Sequence, residues 1–374
     1  MEFTISRTAF IRLLRTAASA AAKLTTKPIL REILLEATPD AVYATGYNGQ
    51  FGITARQAAE MDVVRANETG KATVDAVLLE VVQQFDGNDV FVQLREQGGG
   101  QGIFVTDNQS EFVLPSSDWR EYPPLPTFDE VLEGNRISSQ TLSGLLRKIT
   151  PSAADESQTQ PGLLGVHFRT GDGGLLLEAS NSHLISQGYV SYESVESDFV
   201  VPKTSLSVLL KNLPADGQAI EFASDENVFL VKTSRLLFFT ALIDAEFPNT
   251  SKIWDRISGR ADITKTTLGK HAFRSAIQRT MILVKTSENK RITLESKEDQ
   301  LQIRAKVDAK RSVKEDVRVT EMSGKKRTLS FNADYLSRLT NVIERDQMVL
   351  VLGDQVVYFE DEDSRHLLLG VRVG

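Results

Sequence analysis

Residues 235–254 read RLLFFTALIDAEFPNTSKIW and divide into an apolar half and a polar half. The apolar half has the length and composition of one buried strand. Pro248 has no backbone donor and disfavours helix in the residue before it, so we expect the strand to end at the corner formed by residues 244–248. The residues after the corner, 249–264, are interpreted as an exposed connector.

A similar corner occurs once earlier in the chain. Residues 111–126, EFVLPSSDWREYPPLP, run from a predicted strand into Asp118 and then into prolines. The corners at Asp118 and Asp244 divide the chain into three parts of similar length. A period of about 125 residues is too long for a solenoid repeat and favours three similar domains. We therefore predict domains at residues 1–126, 127–250 and 251–374.

The composition is that of an ordinary soluble protein. The chain has 374 residues, 41% of them hydrophobic and 25% charged, which allows about two or three domains. It has no cysteine, which excludes disulfides, thiolate metal sites and thiol nucleophiles. No apolar run approaches a membrane span and the N-terminus does not resemble a signal peptide, so we expect a cytoplasmic protein with no membrane partner. The net charge of −7, taken alone, disfavours binding to nucleic acid.

Six segments space apolar residues by three and four positions, which predicts helices with one apolar face. Two lie in each third of the chain, and the remainder of each third has the pattern of strands, including residues 29–37 and 41–54. The six segments are residues 8–22, 74–86, 137–150, 201–214, 266–283 and 331–345. The predicted fold class is α+β, with two helices against antiparallel sheets in each of three domains.

The charges of these segments are uneven. Four of the six carry basic but no acidic side chains, although the whole chain is acidic. Charged helix faces are usually only solvated, and that alternative stays open. Four purely basic helices in an acidic chain nevertheless favour a basic helical face. Its proposed members are Arg12, Arg15, Lys23, Arg147, Lys148, Lys203, Lys211, Lys270, Arg274 and Arg279.

An enzyme is disfavoured by the absence of catalytic and metal-binding motifs. None of the four histidines has a partner at metal-ligand spacing. The glycine-rich runs at 98–102 and 171–174 lack the features of a phosphate loop and are interpreted as hairpin turns. Residues 361–363, three acids, are interpreted as an exposed hairpin tip, and no G-x-S-x-G motif is present. We expect no catalytic residue, metal or cofactor. A β-rich structural or binding protein is the remaining alternative class.

Several segments resemble the bacterial DNA polymerase β sliding clamp family, the processivity subunits of replicative polymerases. The matching segments are MEFTISR at 1–7, KPIL at 27–30, and residues 33–55, 200–213, 242–249, 272–283 and 331–343. The resemblance extends over the whole chain and consists of many weak matches. Two departures mark a divergent member. Residues 180–185 read SNSHLI where the family usually has TDGHRL, and the chain ends in LGVRVG where the family often has Met-Pro-Met-Arg-Leu.

The resemblance implies a mechanical function. Clamps of this family are head-to-tail homodimers that form a closed ring of six domains, with helices around the hole and sheets outside. Double-stranded DNA passes through the hole irrespective of sequence, and basic helices would attract its phosphates. The implied partners are a clamp loader, a DNA polymerase and other proteins that carry a short clamp-binding peptide. The alternative is a β-rich protein that does not act on DNA.

The resemblance also implies two protein contacts. The dimer interface would join Phe112, Val113 and Leu114 to Ile282 and Leu283. The peptide groove would comprise Leu163, Ser180, Ser182, His183, Ile185, Pro248, Lys252, Ile253, Val356, Leu368, Leu369 and Val371. Leu184 replaces an arginine of the family and Gly370 a proline. We therefore expect one wall of the groove to be more apolar and its C-terminal end to be looser.

Overall fold

The computed structural model describes most of the chain, in two compact units. The described residues are 1–59, 64–127, 134–155, 160–171, 173–192, 195–258, 260, 262–287 and 290–371. Asp172 of the glycine-rich run 171–174 and residues 372–374 at the C-terminal end lie outside the described residues. The first unit comprises residues 1–140 and 207–242, and the second comprises residues 141–206 and 243–374. The boundary between the units runs through the middle third, so the three-domain boundaries stay a prediction.

The described residues contain seven α-helices. They are α1 Arg7–Ala18, α2 Leu78–Gln83, α3 Ser139–Ile149, α4 Lys203–Asn212, α5 Ser251–Ser258, α6 Lys270–Val284 and α7 Ala333–Asn341. Short 3-10 segments lie at Pro28–Arg31, Trp119–Glu121, Thr150–Ser152 and Pro161–Leu164. Each of the six predicted helical segments contains a helix that is shorter than predicted, although α1 begins and α6 ends one residue outside the predicted bounds. In this part of the chain, no helix is long and apolar enough to cross a membrane.

The strands are short and, in the described part of the chain, all their pairings are antiparallel. The first ten are β1 Glu2–Ser6, β2 Glu32–Ala37, β3 Ala41–Tyr47, β4 Phe51–Ala58, β5 Val64–Glu68, β6 Gly70–Asp75, β7 Asp89–Gln97, β8 Gly100–Thr106, β9 Glu111–Ser116 and β10 Asn135–Ser138. The next seven are β11 Gly165–Gly171, β12 Gly174–Ser180, β13 Leu184–Ser191, β14 Ser197–Pro202, β15 Ala219–Ser224, β16 Val228–Lys232 and β17 Leu236–Ala241. The last eight are β18 Thr264–Gly269, β19 Arg291–Ser296, β20 Gln300–Lys306, β21 Ser312–Ser323, β22 Thr328–Asn332, β23 Gln347–Leu352, β24 Val356–Glu360 and β25 Ser364–Leu369.

The first unit contains two sheets. One has the order β5-β1-β7-β8-β9, and the other has the order β10-β15-β16-β17-β4-β3-β2-β6. Helix α1 buries Phe10 and Leu14 in the core, with the Phe10 ring edge-on to Phe3 at 5.9 Å. A Cβ on Gly46 of β3 would lie 1.9 Å from the carbonyl oxygen of Ala17, so only glycine permits this approach of helix to sheet.

The second unit is built on a twelve-stranded sheet. Its order is β14-β11-β12-β13-β25-β24-β23-β18-β21-β20-β19-β22. Helices α6 and α7 pack on it and bury Phe273, Ile277 and Leu336. Strand β13 pairs with β25, with Leu184 opposite Leu368 and Ile185 opposite Leu367. Strands of the middle and last thirds therefore share one sheet.

The structure corrects three sequence interpretations. The stretch 249–264 is not simply an exposed connector, because it forms α5 and buries Trp254 to 3% exposure. Residues 41–54 form two strands rather than one, because a turn at residues 48–50 separates β3 from β4. Residues 29–31 belong to a 3-10 turn that begins at Pro28, before β2 starts. A proline suits the first position of such a turn, since its missing N–H is not needed there.

Candidate functional site

The exposed side of α1 carries two arginines. Arg12 and Arg15 are exposed, while Phe10 and Leu14 on the opposite side are buried. An Arg12 Nη2 donates to Oε1 of Gln57 at 2.5 Å, which orients its guanidinium. Lys23 is exposed but lies beyond the end of α1 at Ala18. The helix therefore presents two of its three predicted cations.

Three more predicted cations are available on other helices. Arg147 near the end of α3 and Lys211 near the end of α4 are exposed, and Arg274 on α6 is half-buried. Within the described residues, none of these three side chains forms an ion pair with a carboxylate. A cation without a carboxylate partner can neutralise a phosphate and release its counterion, so these residues fit a sequence-independent DNA contact.

Lys148 has another role than the predicted one. Its side chain is buried, and its Nζ lies 2.7 Å from Asp363 and 2.9 Å from Glu344. Burial alone would lower the pKa of Lys148, but hydrogen bonds to the two carboxylates outweigh burial and raise it. The ammonium is thus charged, and it is held within the second unit. Because Lys148 is buried and paired, we remove it from the proposed DNA-facing residues. Its neighbour Arg147 is exposed and remains among them.

The remaining predicted cations are partly satisfied by the protein. Arg279 donates to both oxygens of Glu315, at 2.9 and 2.6 Å. The hydrogen bonds from Arg279 lower the pKa of that carboxyl. Lys203 donates to the carboxylate of Asp155 at 2.7 Å, and Lys270 donates to a backbone carbonyl at 3.1 Å. These contacts lie near the surface, where water screens them and a phosphate can compete. Their part in DNA binding stays a prediction.

An apolar cluster lies where the predicted peptide groove falls in the second unit. Its buried members come from β13, α5, β24 and β25, and two further side chains are partly buried against them. The cluster consists of Ile185, Trp254, Ile257, Val356 and Leu367, with Tyr358 and Leu369. The guanidinium of Arg365 lies over the Trp254 ring, 4.4 Å from its centre.

Six of the predicted groove residues are exposed. Ile253 of α5 is 36% exposed and Val371 is also exposed. The ring of His183 is exposed and stacks on Tyr335 at 5.3 Å. The predicted residues Ser182, Pro248 and Lys252 are exposed as well. Such an arrangement of a buried apolar floor and a polar rim is typical of a site that receives one anchoring side chain.

Two residues that were expected at the groove lie elsewhere. Leu368 and Leu184 belong to the core cluster under α6 and α7, on the other face of the sheet from Ile185 and Leu367. Successive side chains of a strand alternate between faces, so neither residue lines the groove. The expected more apolar wall from Leu184 is therefore wrong. Ser180 and Leu163 are buried, and Ser180 of β12 lies opposite Ile185 of β13, on the same face of the sheet as the cluster.

Backbone hydrogen bonds hold the C-terminal end of the groove. The N–H of Gly370 donates to the carbonyl of Gln355 at 2.6 Å, and the N–H of Val371 donates to the carbonyl of Ser330 at 2.7 Å. A Cβ on Gly370 would lie 3.0 Å from the Gln355 oxygen. Glycine thus permits a close backbone contact that a proline, which has no N–H, could not make, and the expectation of a looser end stays a prediction.

Sequence reasoning missed four members of the cluster: Trp254, Ile257, Tyr358 and Leu367. For α5, a signal was present. Residues 251–258 place Ile253, Trp254 and Ile257 at helical spacing, so that the helix buries Trp254 and Ile257 and leaves Ile253 at the surface. The segment is only eight residues long, and Pro248 before it favoured the interpretation as a connector.

A polar network lies behind the start of α5. The Nε2 of His167 lies 2.7 Å from Asp198, its Nδ1 lies 3.3 Å from Glu178, and its ring stacks on Phe247 at 5.0 Å. Thr250, the residue before α5, donates its hydroxyl to Glu178 at 2.5 Å. These contacts fix the end of the corner from which α5 begins.

The network keeps opposite charges together. Burial alone would lower the pKa of His167, but hydrogen bonds to Glu178 and Asp198 outweigh burial and raise it. Burial likewise opposes ionisation of Glu178, but the hydrogen bonds that it accepts from His167 and Thr250 lower its pKa. The imidazolium and the carboxylate therefore stabilise each other. In the described part of the chain, no cluster of three or more His, Cys, Asp or Glu residues is arranged to hold a metal ion.

The predicted dimer residues lie at an edge and on a helix surface. Strand β9 is the last strand of its sheet, and its Phe112 and Val113 are exposed while Leu114 is half-buried. Ile282 on α6 is 75% exposed, and Leu283 is half-buried. An edge strand with exposed apolar side chains is open to pairing with another chain.

The acidic run 361–363 forms the expected hairpin tip between β24 and β25, where Glu362 is exposed but Asp361 is not. The Asp361 carboxylate lies 2.8 Å from Arg345, and its side chain is only 7% exposed. Glu362 pairs with the same arginine and Asp363 pairs with Lys148. The hairpin between β24 and β25 is therefore tied to neighbouring elements by its charges.

Three domain families match this chain in succession. The N-terminal domain of the DNA polymerase III beta subunit matches residues 1–126, the central domain matches residues 136–249, and the C-terminal domain matches residues 260–368. A beta sliding clamp of Staphylococcus aureus is 26% identical over 356 residues, which cover 93% of this chain and 92% of the relative.

Solved structures share the fold. The DNA polymerase sliding clamp of Bacillus subtilis matches with a TM-score of 0.91 at 24% identity, over 100% of both chains. A DNA polymerase III subunit beta of Pseudomonas aeruginosa, solved with griselimycin bound, matches with a TM-score of 0.87 at 22% identity, also over 100% of both chains. The three domain matches together span most of the sequence, and the chain therefore belongs to the DNA polymerase III beta subunit family.

Proposed function

We propose that this protein is a DNA sliding clamp, a ring that encircles duplex DNA and tethers the replicative polymerase for processive synthesis. The observation that supports the proposal most directly is the succession of three beta-subunit domain matches along one chain. The second support is electrostatic. Exposed arginines and lysines lie on helices of a chain whose net charge is −7. The alternative of a β-rich protein that does not act on DNA accounts for neither observation.

The mechanism needs no catalysed reaction. Phosphates attract the exposed cations of α1, α3, α4 and α6 without regard to base sequence, and such contacts are exchanged easily as the protein moves along the duplex. The acidic remainder of the chain repels DNA from other surfaces. Retention then depends on closure of the ring around the duplex rather than on affinity.

Ring closure is proposed to use β9 and α6. Phe112 and Val113 on the edge strand would meet Ile282 on α6 of a second copy, and the same contact repeated by two-fold symmetry closes a head-to-tail dimer. A clamp loader would open one of these contacts. The polymerase and other partners would each insert an apolar side chain of a short peptide over Ile185, Trp254 and Val356.

The test is retention on circular DNA. The protein is incubated with a matched clamp loader, ATP and a nicked circular plasmid, and the DNA-bound fraction is isolated by gel filtration. We expect retention on the circle and loss after one restriction cut, because a ring slides off a free end. The same plasmid linearised before loading is the control. Equal retention on cut and uncut DNA would show binding by affinity, and no retention on either would favour the alternative class.

A further inference from the structure

A cavity in the second unit lies beside the hairpin that joins β24 to β25. It has a volume of about 380 Å³, and residues of β12, β13 and this hairpin line it. The charges of its described lining residues are mostly negative, and such a lining favours a cationic ligand. The carboxylates are Glu360, Asp361, Glu362 and Asp363, and the cation is Arg365.

Glu360 has no ion-pair partner in the described part of the chain. It is exposed at the end of β24 and lies opposite Arg365 of β25, a position from which an ion pair would be expected. The guanidinium of Arg365 instead lies over the Trp254 ring and donates from Nε to Gln187 at 2.6 Å. The carboxylate of Glu360 is therefore available to a cation from outside the chain.

Two buried polar atoms of the hairpin have no hydrogen-bond partner among the described residues, namely Oδ2 of Asp361 and Oγ of Ser364. The Asp361 side chain is 7% exposed, and its other oxygen contacts Arg345 at 2.8 Å. Ser364 is likewise only 7% exposed. A buried polar atom without a partner costs free energy. Because both residues line the cavity, a donor group that enters it would satisfy them.

An aromatic ring lies on the opposite side of the cavity lining, on β13. Tyr189 is 47% exposed, and its N–H donates to the carbonyl of Asp363 at 2.9 Å, which holds β13 beside the hairpin. The face of a tyrosine ring attracts an ammonium or guanidinium group. A metal ion is disfavoured, because the described residues contain no cluster of three or more His, Cys, Asp or Glu side chains that could hold one. The lining therefore fits an organic cation.

The cavity shares a face of the sheet with the apolar cluster of the candidate peptide groove. Side chains alternate between faces along a strand, so Tyr189 lies on the face of Ile185, and Glu360 lies on the face of Tyr358. Tyr189 follows Ile185 by four positions, which is about 13 Å along the strand. An extended peptide spans this distance in roughly four residues.

We propose that this cavity binds the ammonium or guanidinium group of a partner peptide, from a lysine or arginine about four residues away from the apolar anchor. The inference rests on the proposed function, because the same peptide places its anchor over the apolar cluster. The cation lies against the Tyr189 ring and donates to Glu360, to Asp361 Oδ2 and to the Ser364 hydroxyl. The cavity thus distinguishes between partner peptides that have the same anchor.

The experiment compares three peptides by isothermal titration against the wild type. The first has a Leu/Phe anchor and a glutamine four residues before and four residues after it. Each of the other two replaces one of these glutamines by lysine. We expect one lysine peptide to bind about tenfold more tightly than the glutamine peptide, because a hydrogen bond to a charged group is formed. Equal binding of all three would overturn the proposal, and this comparison needs no variant protein.

Variants then locate the gain in affinity. Glu360→Gln should remove the gain and leave binding of the glutamine peptide unchanged, and Tyr189→Leu should reduce the gain by about threefold. Glu321→Gln is the matched control, because it removes an exposed carboxylate of β21 outside the cavity. Loss of the gain in the control as well would show a general charge effect and overturn the proposal. Melting temperature and sedimentation verify the fold of each variant.

A further titration separates a basic side chain from a metal ion. Magnesium chloride replaces sodium chloride at constant ionic strength, and the gain from lysine should persist. If magnesium abolishes the gain, the cavity takes a metal ion and the proposal is overturned.

The inference and the proposed function fail differently. If the glutamine peptide binds the wild type and lysine adds no affinity, only the cation site is refuted. If none of the three peptides binds the wild type, the groove and the cation site are refuted together. Retention on circular DNA tests the ring itself independently of either result.

Discussion

Ile253 offers the sharpest test of the peptide groove. It projects from α5 beside the buried Trp254 and Ile257, and 36% of it is exposed. Complete burial of an isoleucine is worth about 1.5–3 kcal/mol, so covering the exposed part contributes about 0.5–1 kcal/mol. Ile253→Ala should therefore weaken a peptide that covers this residue by about two- to fivefold in Kd. Ile253→Asp should weaken it far more, by about a hundredfold, because the peptide would bury an uncompensated carboxylate at a cost of about 3 kcal/mol or more.

The assay is isothermal titration of a short peptide with a Leu/Phe anchor against the dimer. Val349 provides the matched control, because it is 43% exposed on β23 and lies outside the apolar cluster. Val349→Asp adds the same charge to the same unit and should leave the Kd unchanged. Equal binding to the wild type and to Ile253→Asp would refute the groove and place the partner site elsewhere. Equal weakening by Ile253→Asp and Val349→Asp would show a general electrostatic effect instead.

Three other predictions concern the subunit contact, the basic faces and the network behind α5. Ile282→Ala combined with Leu283→Ala should give a monomer in sedimentation, and a wild type that is already monomeric at micromolar concentration would contradict the interface. Arg147→Gln should lower the salt slope of duplex binding by about one unit, whereas Arg279→Gln should change it less because a carboxylate already neutralises Arg279; equal slopes would contradict this distinction. His167 has a raised pKa, so its stabilisation is complete below the unfolded pKa of about 6.5 and is lost as pH rises through the folded pKa. Denaturant unfolding should show stability falling over that window in the wild type but less in His167→Gln, and parallel profiles would refute the role of this network.

The sequence predicted elements well where the signal is local. The apolar spacing of Phe10, Leu13 and Leu14 identified α1, and the glycines at 98–100 identified the turn between β7 and β8, where Gly98 and Gly99 have φ of 59° and 92°. Local spacing also failed for a physical reason at α5. A helix of eight residues contains about two turns, so tertiary packing of Trp254 rather than an extended pattern defines it.

The candidate sites depended on contacts that sequence does not show. Arg147 and Lys148 are adjacent and equally basic, yet one is exposed and the other is buried against Asp363, 215 residues away. Arg279 meets Glu315 at a separation of 36 residues. The resemblance carried the groove residues over as a set, but the face on which each residue lies follows from strand register. For this reason Ile185 lies in the cluster and Leu184 does not.

The pairings of β4 with β17 and of β13 with β25 have a consequence for dissecting this protein. Each pairing joins strands from different thirds of the chain. Each third on its own would therefore have at least one strand without its pairing partner. A fragment that ends at residue 126 would expose the backbone of β4 as an open edge, and such edges favour aggregation. Genetic shuffling of single thirds would meet the same obstacle. We therefore expect a single third of the chain to be less soluble than the whole protein.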